Sequence, residues 1–231
     1  MEGRAAQLGR RASGMEGDVD REKELAASAS AELVESGMVV GLGTGTTVAY
    51  LVPALGRRRL DITCVATSPA TEELARRVGL RVVPFVGLDR LDLAIDGADQ
   101  VDPDCWLVKG GGGAQTREKI VAAAADRFVV IVSSNKLVGR LRPPVPLELM
   151  SFGLDVVRRE FPVLTLRDAP PTPDGGVLAD YWGDIDDPPG LAARFEASPG
   201  IVSHGLFRPG LVSVVLVGRG SQVESVQPSA A

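Results

Sequence analysis

Short apolar runs of three to five residues recur at Met38–Leu42, Ile62–Ala66, Arg81–Val83, Leu91–Ile95 and Phe128–Val132, with a helical or turn segment between each pair. A chain written this way is constrained to a parallel sheet covered by helices on both faces, because parallel strands need crossover connections and bury both sides. Leu25, Ala29 and Leu33, spaced by four, predict an amphipathic helix over 20–35, with Asp20 as its N-cap and Gly37 just past its end. A second helix is predicted over Val48–Leu55. After Lys136 the texture changes, with Pro143, Pro144 and Pro146 marking a junction. The chain beyond reads as strand (Pro146–Met150), helix (Leu154–Phe161), strand (Val163–Arg167), strand (Val177–Tyr181), helix (Gly190–Ala197) and strand (Ile201–Leu206). That order is the split βαβ arrangement. A last strand, Leu211–Val217, is expected to return to the main sheet.

The 231 residues, 45% hydrophobic, suffice for a main core and a smaller one. The net charge of -5 argues against nucleic acid as a partner, since phosphate-backbone binding needs a clustered basic surface. Cys64 and Cys105 are isolated, which points to neither a disulfide framework nor a zinc site, and fits a reducing cytoplasm. His204 is the single histidine, so mechanisms built on histidine pairs or a His-rich metal shell are weakened. The apolar runs are far shorter than a membrane span, and no membrane association is expected. Residues 1–19 carry arginines among Gly, Ala and Ser without an apolar h-region, and read as a disordered extension.

Three segments carry chemistry. Gly41-Leu42-Gly43-Thr44-Gly45-Thr46-Thr47 lies between a strand and a helix, where a tight turn aims backbone N–H groups at an anion such as a phosphate. It is neither a Walker A loop, lacking the Lys-Ser/Thr pair, nor a dinucleotide fingerprint, having Thr46 where Gly or Ala is needed. A bare structural turn would read the same. The strand at Leu91–Ile95 leads into Asp96-Gly97-Ala98-Asp99, which puts two carboxylates at the carboxyl edge of a parallel sheet, where open α/β folds bind ligands. Turn formation is the alternative for Asp beside Gly. Lys109 then precedes four glycines, Gly110 to Gly113, and a helix containing Glu118. Such a run is costly in chain entropy and asks for a reason such as close backbone approach to a ligand. Glu118 shares a helix face with Val121 and Ala122, so it is expected to be only partly solvated, with a raised pKa suited to a general base. It also fits a plain first-turn glutamate favoured by the helix dipole.

Together GLGTGTT (41–47), VATS (65–68), DGADQVDPD (96–104), LVKGGGGAQTREKIVAAAADRFVVIV (107–132) and SNKL (134–137) closely resemble the ribose-5-phosphate isomerase A family. The resemblance continues more weakly through PLELMSFG, TPDGG, IDDPPGLAARFEASPGIVSHGLF and VVLVG. It implies an α/β fold: a Rossmann-like three-layer parallel-sheet domain over 20–142 and 207–222, and a smaller ferredoxin-like α+β domain over 143–206. It implies reversible conversion of D-ribose 5-phosphate to D-ribulose 5-phosphate through a cis-enediolate, in the non-oxidative pentose phosphate pathway, without metal or cofactor, by a cytoplasmic homodimer or homotetramer. Glu118 resembles the base that moves a proton between C1 and C2. Asp96, with Asp99 beside it, resembles the carboxylate that assists ring opening and hydroxyl proton transfer, and Lys109 the group that stabilises the oxyanion. Gly43, Thr44, Gly45, Thr46, Thr47, Gly110, Gly111, Gly112 and Lys136 resemble substrate and phosphate contacts, and Lys23 is a further candidate. Where the family has Ser in GTGST this chain has Thr46, where it has Glu after DGAD this chain has Gln100, and the junction 137–146 is shorter.

Two other functions share this architecture. A sugar-phosphate-sensing module would normally carry a DNA-binding helix pair, which residues 1–19 are too short and glycine-rich to supply. A sugar-phosphate deaminase or lactonase usually recruits histidine chemistry, and His204 lies in the weaker half of the resemblance.

Overall fold

The computed structural model describes residues 2–229, with side chains from Gly17 onward. Helix α1 (Glu2–Ala31) opens the chain, followed by β1 (Val39–Leu42), α2 (Val48–Arg58), β2 (Thr63–Ala66), α3 (Pro69–Arg77), β3 (Arg81–Val82), β4 (Leu93–Asp96), β5 (Gln100–Val101), β6 (Leu107–Val108), α4 (Gln115–Ala124) and β7 (Phe128–Ser133). The second part contains β8 (Val145–Leu149), α5 (Leu154–Glu160), β9 (Leu164–Leu166), β10 (Val177–Tyr181), α6 (Pro188–Ala197), β11 (Ile201–His204), β12 (Leu206–Phe207), β13 (Val214–Arg219) and β14 (Gln222–Val226).

The main sheet has seven strands in the order β14-β13-β7-β4-β1-β2-β3, parallel except for the β13–β14 hairpin at one edge. One face packs against Ala26, Ala27 and Ala31 of α1 and Leu51, Val52 and Leu55 of α2. The other packs against Val121 and Ala122 of α4, with Phe128 and Phe207. Strand β7 is buried at every position, as a central strand covered on both faces must be. The order turns back at β1 and β4, so the crevice beyond their carboxyl ends is where such sheets receive ligands.

A four-stranded antiparallel sheet, β11-β8-β10-β9, carries α5 and α6 over a core that includes Phe161, Tyr181 and Phe195. In chain order its strands sit 4-1-3-2, the split βαβ topology of the ferredoxin-like class.

The remaining differences from the sequence reading have local causes. Helix α1 starts at Glu2 and runs through Asp20, which is therefore not its N-cap, and the backbone of the stretch expected to be disordered belongs to this helix. Of the side chains there, those of residues 1–16 lie outside the described ones. The single strand expected over Ile201–Leu206 divides at Gly205. A Cβ at Gly205 would lie 2.2 Å from the Lys109 carbonyl, and Gly205 exchanges backbone bonds with Pro146 (2.7 Å) and Lys109 (2.8 Å). The chain thereby leaves the second sheet and enters a small third one, β12-β6-β5, whose two-residue strands are too short to show periodicity. Strand β14 also escaped the sequence reading, because Gln222–Val226 is a largely exposed edge with three polar residues, Gln222, Glu224 and Ser225, open to solvent.

Candidate active site

Strand β1 ends at Leu42 and the chain turns through Gly43–Thr47 into α2. Gly43 is required by close approach: a Cβ there would sit 1.9 Å from Cγ of Asp96, the last residue of neighbouring β4. Asp96 is buried, and its Oδ1 accepts from the Gly97 N–H (2.7 Å) and the Thr44 N–H (3.1 Å). The N–H groups of Gly45, Thr46 and Thr47 find no acceptor among the described residues, which leaves donors at a helix N-terminus for an anion. The loop is braced from β2 and α3, through Thr44 Oγ1 with Thr67 Oγ1 (2.8 Å) and a bond from Thr71 Oγ1 to the Gly43 carbonyl (2.9 Å). Sequence reasoning missed these braces; the VATS motif ending at Ser68 was their only signal.

Lys109 follows β6 and is buried, its backbone N–H bonded to Gly205. Its Nζ donates to Asp96 Oδ2 (2.7 Å) and the Gly97 carbonyl (2.5 Å), and stands 3.2 Å from Glu118 Oε2. Burial disfavours the ammonium, but the carboxylates of Asp96 and Glu118 outweigh it and hold the Lys109 pKa above its ordinary value. The Phe207 ring lies 5.4 Å from Lys109 Nζ and 5.0 Å from Lys119 Nζ.

Glu118, in the first turn of α4, is 5% exposed and not the partly solvated group that helix spacing suggested. Lys109 and the chain leading out of β6 cover it, a contact invisible in the periodicity of α4. Burial, reinforced by the nearby Asp96 charge and only partly offset by Lys109, lifts the Glu118 pKa to about 8. One ammonium cannot neutralise two buried carboxylates, so the second keeps its proton near neutral pH.

These groups meet at a cavity of about 100 Å³ lined by Thr44 to Thr47, Gly97 to Asp99, Lys109 to Gly112, Glu118 and Lys136. Of the residues singled out in the sequence, the fold brings Glu118, Asp99, Lys109, Thr44, Gly45, Thr46, Thr47, Gly110, Gly111, Gly112 and Lys136 to this one wall. Asp96 and Gly43 lie behind it, Asp96 reaching it through Lys109. The Lys23 side chain does not line the cavity and pairs with Asp20 at 2.9 Å. Lys136 sits in a short turn after β7, which buried Glu22 of α1 holds by accepting from Ser134 N (2.9 Å) and Oγ (2.7 Å). Gln100 does not face the cavity: its amide donates to and accepts from the backbone of Arg142, clasping the short junction.

His204 does not line the cavity either; it packs 3.3 Å from Lys119 Nζ, and burial lowers its pKa to about 3 and that of Lys119 to about 7. A larger, mainly apolar groove of about 610 Å³ includes Phe85, Val86, Ile120 and Met150, but its Arg117 and Asp174 are paired with each other at 2.6 Å. Among the described residues, no group of three or more His, Cys, Asp or Glu side chains is arranged to hold a metal, and no helix is long and apolar enough to cross a membrane.

Residues 63–222 match the family model of ribose 5-phosphate isomerase A (phosphoriboisomerase A). The chain is 42% identical over 216 residues to ribose-5-phosphate isomerase A of Sphingopyxis alaskensis, covering 88% of this chain and 94% of that one. Among solved structures, ribose 5-phosphate isomerase A of Methanocaldococcus jannaschii superposes with a TM-score of 0.84 at 34% identity, covering 89% of this chain and 97% of that one. A D-ribose-5-phosphate isomerase in complex with phospho-erythronic acid superposes equally well, with a TM-score of 0.84 at 33% identity over 90% of this chain and 99% of that one. Sequence, fold and site thus converge, and the chain belongs to the ribose 5-phosphate isomerase A family.

Proposed function

We propose that this protein interconverts D-ribose 5-phosphate and D-ribulose 5-phosphate by proton transfer through a cis-enediolate. The observation that carries the proposal is Glu118, buried with a pKa of about 8, facing the same small cavity as a buried ammonium and two loops of backbone donors. The substrate phosphate is assigned to the Thr44–Thr47 loop and Lys136, which has no carboxylate within ion-pair distance among the described residues. Glu118, as carboxylate, takes the proton from C2 of the open-chain aldose; the C–H electron pair forms the C1–C2 double bond and the carbonyl oxygen becomes the oxyanion. Lys109 and the backbone N–H of Gly112 stabilise that charge. A hydroxyl proton passes from O2 to O1, and Glu118 returns its proton to C1, leaving the ketone at C2. Asp99 borders the cavity and serves ring opening and the hydroxyl proton, while Asp96 acts through Lys109.

The same reading places the reaction in the non-oxidative pentose phosphate pathway, in the cytoplasm, without metal or cofactor. It divides the chain into a Rossmann-like unit (20–142 and 207–222) and a ferredoxin-like unit (143–206), and expects a homodimer or homotetramer. The test uses EDTA-treated protein with ribose 5-phosphate, following ketose formation. Turnover is expected, with a loss of about 10²–10⁴-fold in Glu118→Gln of unchanged fold. A Gln variant as fast as wild type would remove Glu118 from the chemistry.

A further inference from the structure

The glycine loop is gripped from outside by a side chain of the other sheet. Arg167, directly after β9, donates from Nη1 to the carbonyls of Gly110 (3.1 Å) and Gly111 (3.0 Å). Its other nitrogens form a two-pronged pair with Asp180 of β10, Nε to Oδ2 at 2.9 Å and Nη2 to Oδ1 at 2.6 Å, and its backbone N–H is bonded to Leu178. From the opposite side, Asp99 Oδ2 accepts the Gly111 N–H at 2.8 Å. The peptide unit joining Gly110 to Gly111 is therefore held at both ends, its oxygen by Arg167 and its N–H by Asp99. In the next unit Arg167 holds the Gly111 oxygen. Since C=O and N–H point oppositely in a trans peptide, the Gly112 N–H is turned away from the guanidinium. That N–H has no acceptor among the described residues, and Gly112 lines the cavity.

Glycines have no side chains of their own to fix such a loop, and left free they would point their donors in many directions. We infer that Arg167, braced by Asp180, is a positioning residue that sets the backbone N–H of Gly112 toward the charge developing in the cavity. A planar fork can reach two carbonyls and a carboxylate at once; the compact ammonium of lysine cannot. This inference rests on the isomerase reading for the identity of that charge.

The test compares wild type with Arg167→Met, Arg167→Lys and Asp180→Asn, measuring kcat and KM for ribose 5-phosphate. It also measures the affinities of phospho-erythronic acid, whose carboxylate mimics the two enediolate oxygens, and of inorganic phosphate. In Arg167→Met, kcat and phospho-erythronic acid affinity are expected to fall about 10–100-fold while phosphate affinity stays within about twofold, as for a misplaced catalytic group. Arg167→Lys should recover little of the loss, and Asp180→Asn should lie between wild type and Arg167→Met. A wild-type kcat in Arg167→Met, full rescue by Lys, or phosphate affinity falling in step with that of the sugar acid would each overturn the inference. If Arg167→Met does not fold, Asp180→Asn decides, and an unchanged kcat in that variant is equally fatal. Absence of turnover in wild type would sink the isomerase reading, while the two affinities would still decide the role of Arg167.

Discussion

At the cavity floor the ammonium of Lys109 faces two carboxylates, at 2.7 Å from Asp96 and 3.2 Å from Glu118. Asp96 is also bonded to two backbone N–H groups, so the ammonium is shared unequally and Glu118 is left under-compensated. Its Oε2, 3.2 Å from that ammonium, has no other hydrogen-bond partner among the described residues. A group in that condition is a ready proton carrier near neutral pH. The sign of the pH dependence follows: with the pKa raised to about 8, the ionised fraction of the base grows as pH rises toward that value. We expect kcat/KM, which reports the free enzyme, to climb with pH and level off above about 8 in a pH–rate profile. A profile flat through that range would contradict the assignment. Glu118 was recognisable as a candidate from its place after the glycines, but its degree of burial was not, because Lys109 comes to it from a different element.

Among the elements, α1 does more than cover the sheet. Glu22 is buried on it and accepts from Ser134 N and Oγ and from Gly220 N (2.8 Å), tying the helix to the ends of β7 and β13 and to the turn that presents Lys136. Burial alone would raise the Glu22 pKa, but these donors outweigh it and hold the carboxyl below its ordinary range. A depressed native pKa stabilises the fold at neutral pH, and that contribution is lost as pH falls through the native pKa. Glu22→Ala should cost about 2–4 kcal/mol at pH 7, by removing several bonds to a charged acceptor. The deficit, read from chemical denaturation, should shrink at acid pH. An equal deficit at both would argue that the carboxylate charge is not what matters. The sequence marked this helix by its Leu25–Leu33 spacing, yet nothing in that spacing distinguishes Glu22 from an ordinary solvated glutamate. Its partners come from the ends of β7 and β13, which the fold sets side by side.

For the whole molecule, the two larger sheets are joined beside the site, through α4. Arg117, preceding Glu118, pairs with Asp174 in the turn before β10, and Thr116 donates to buried Glu148 of β8, which also accepts from Thr172 (2.6 Å). Phe152 and Val86, 97% and 93% exposed, leave apolar surface open to a second copy. We expect light scattering to return a dimer or tetramer mass, and a monomer at micromolar concentration would refute the proposed assembly. Hydrophobic periodicity determined the strand–helix alternation and the split βαβ order, and glycine placement singled out the loops to which the family resemblance assigned roles, because those depend on near neighbours in the chain. The burial of Glu118, the unequal sharing of Lys109 and the grip of Arg167 on the glycines were decided by the tertiary structure alone. Each depends on groups far apart in sequence being packed into one water-poor space, where charge and hydrogen bonding acquire strengths that no local pattern encodes.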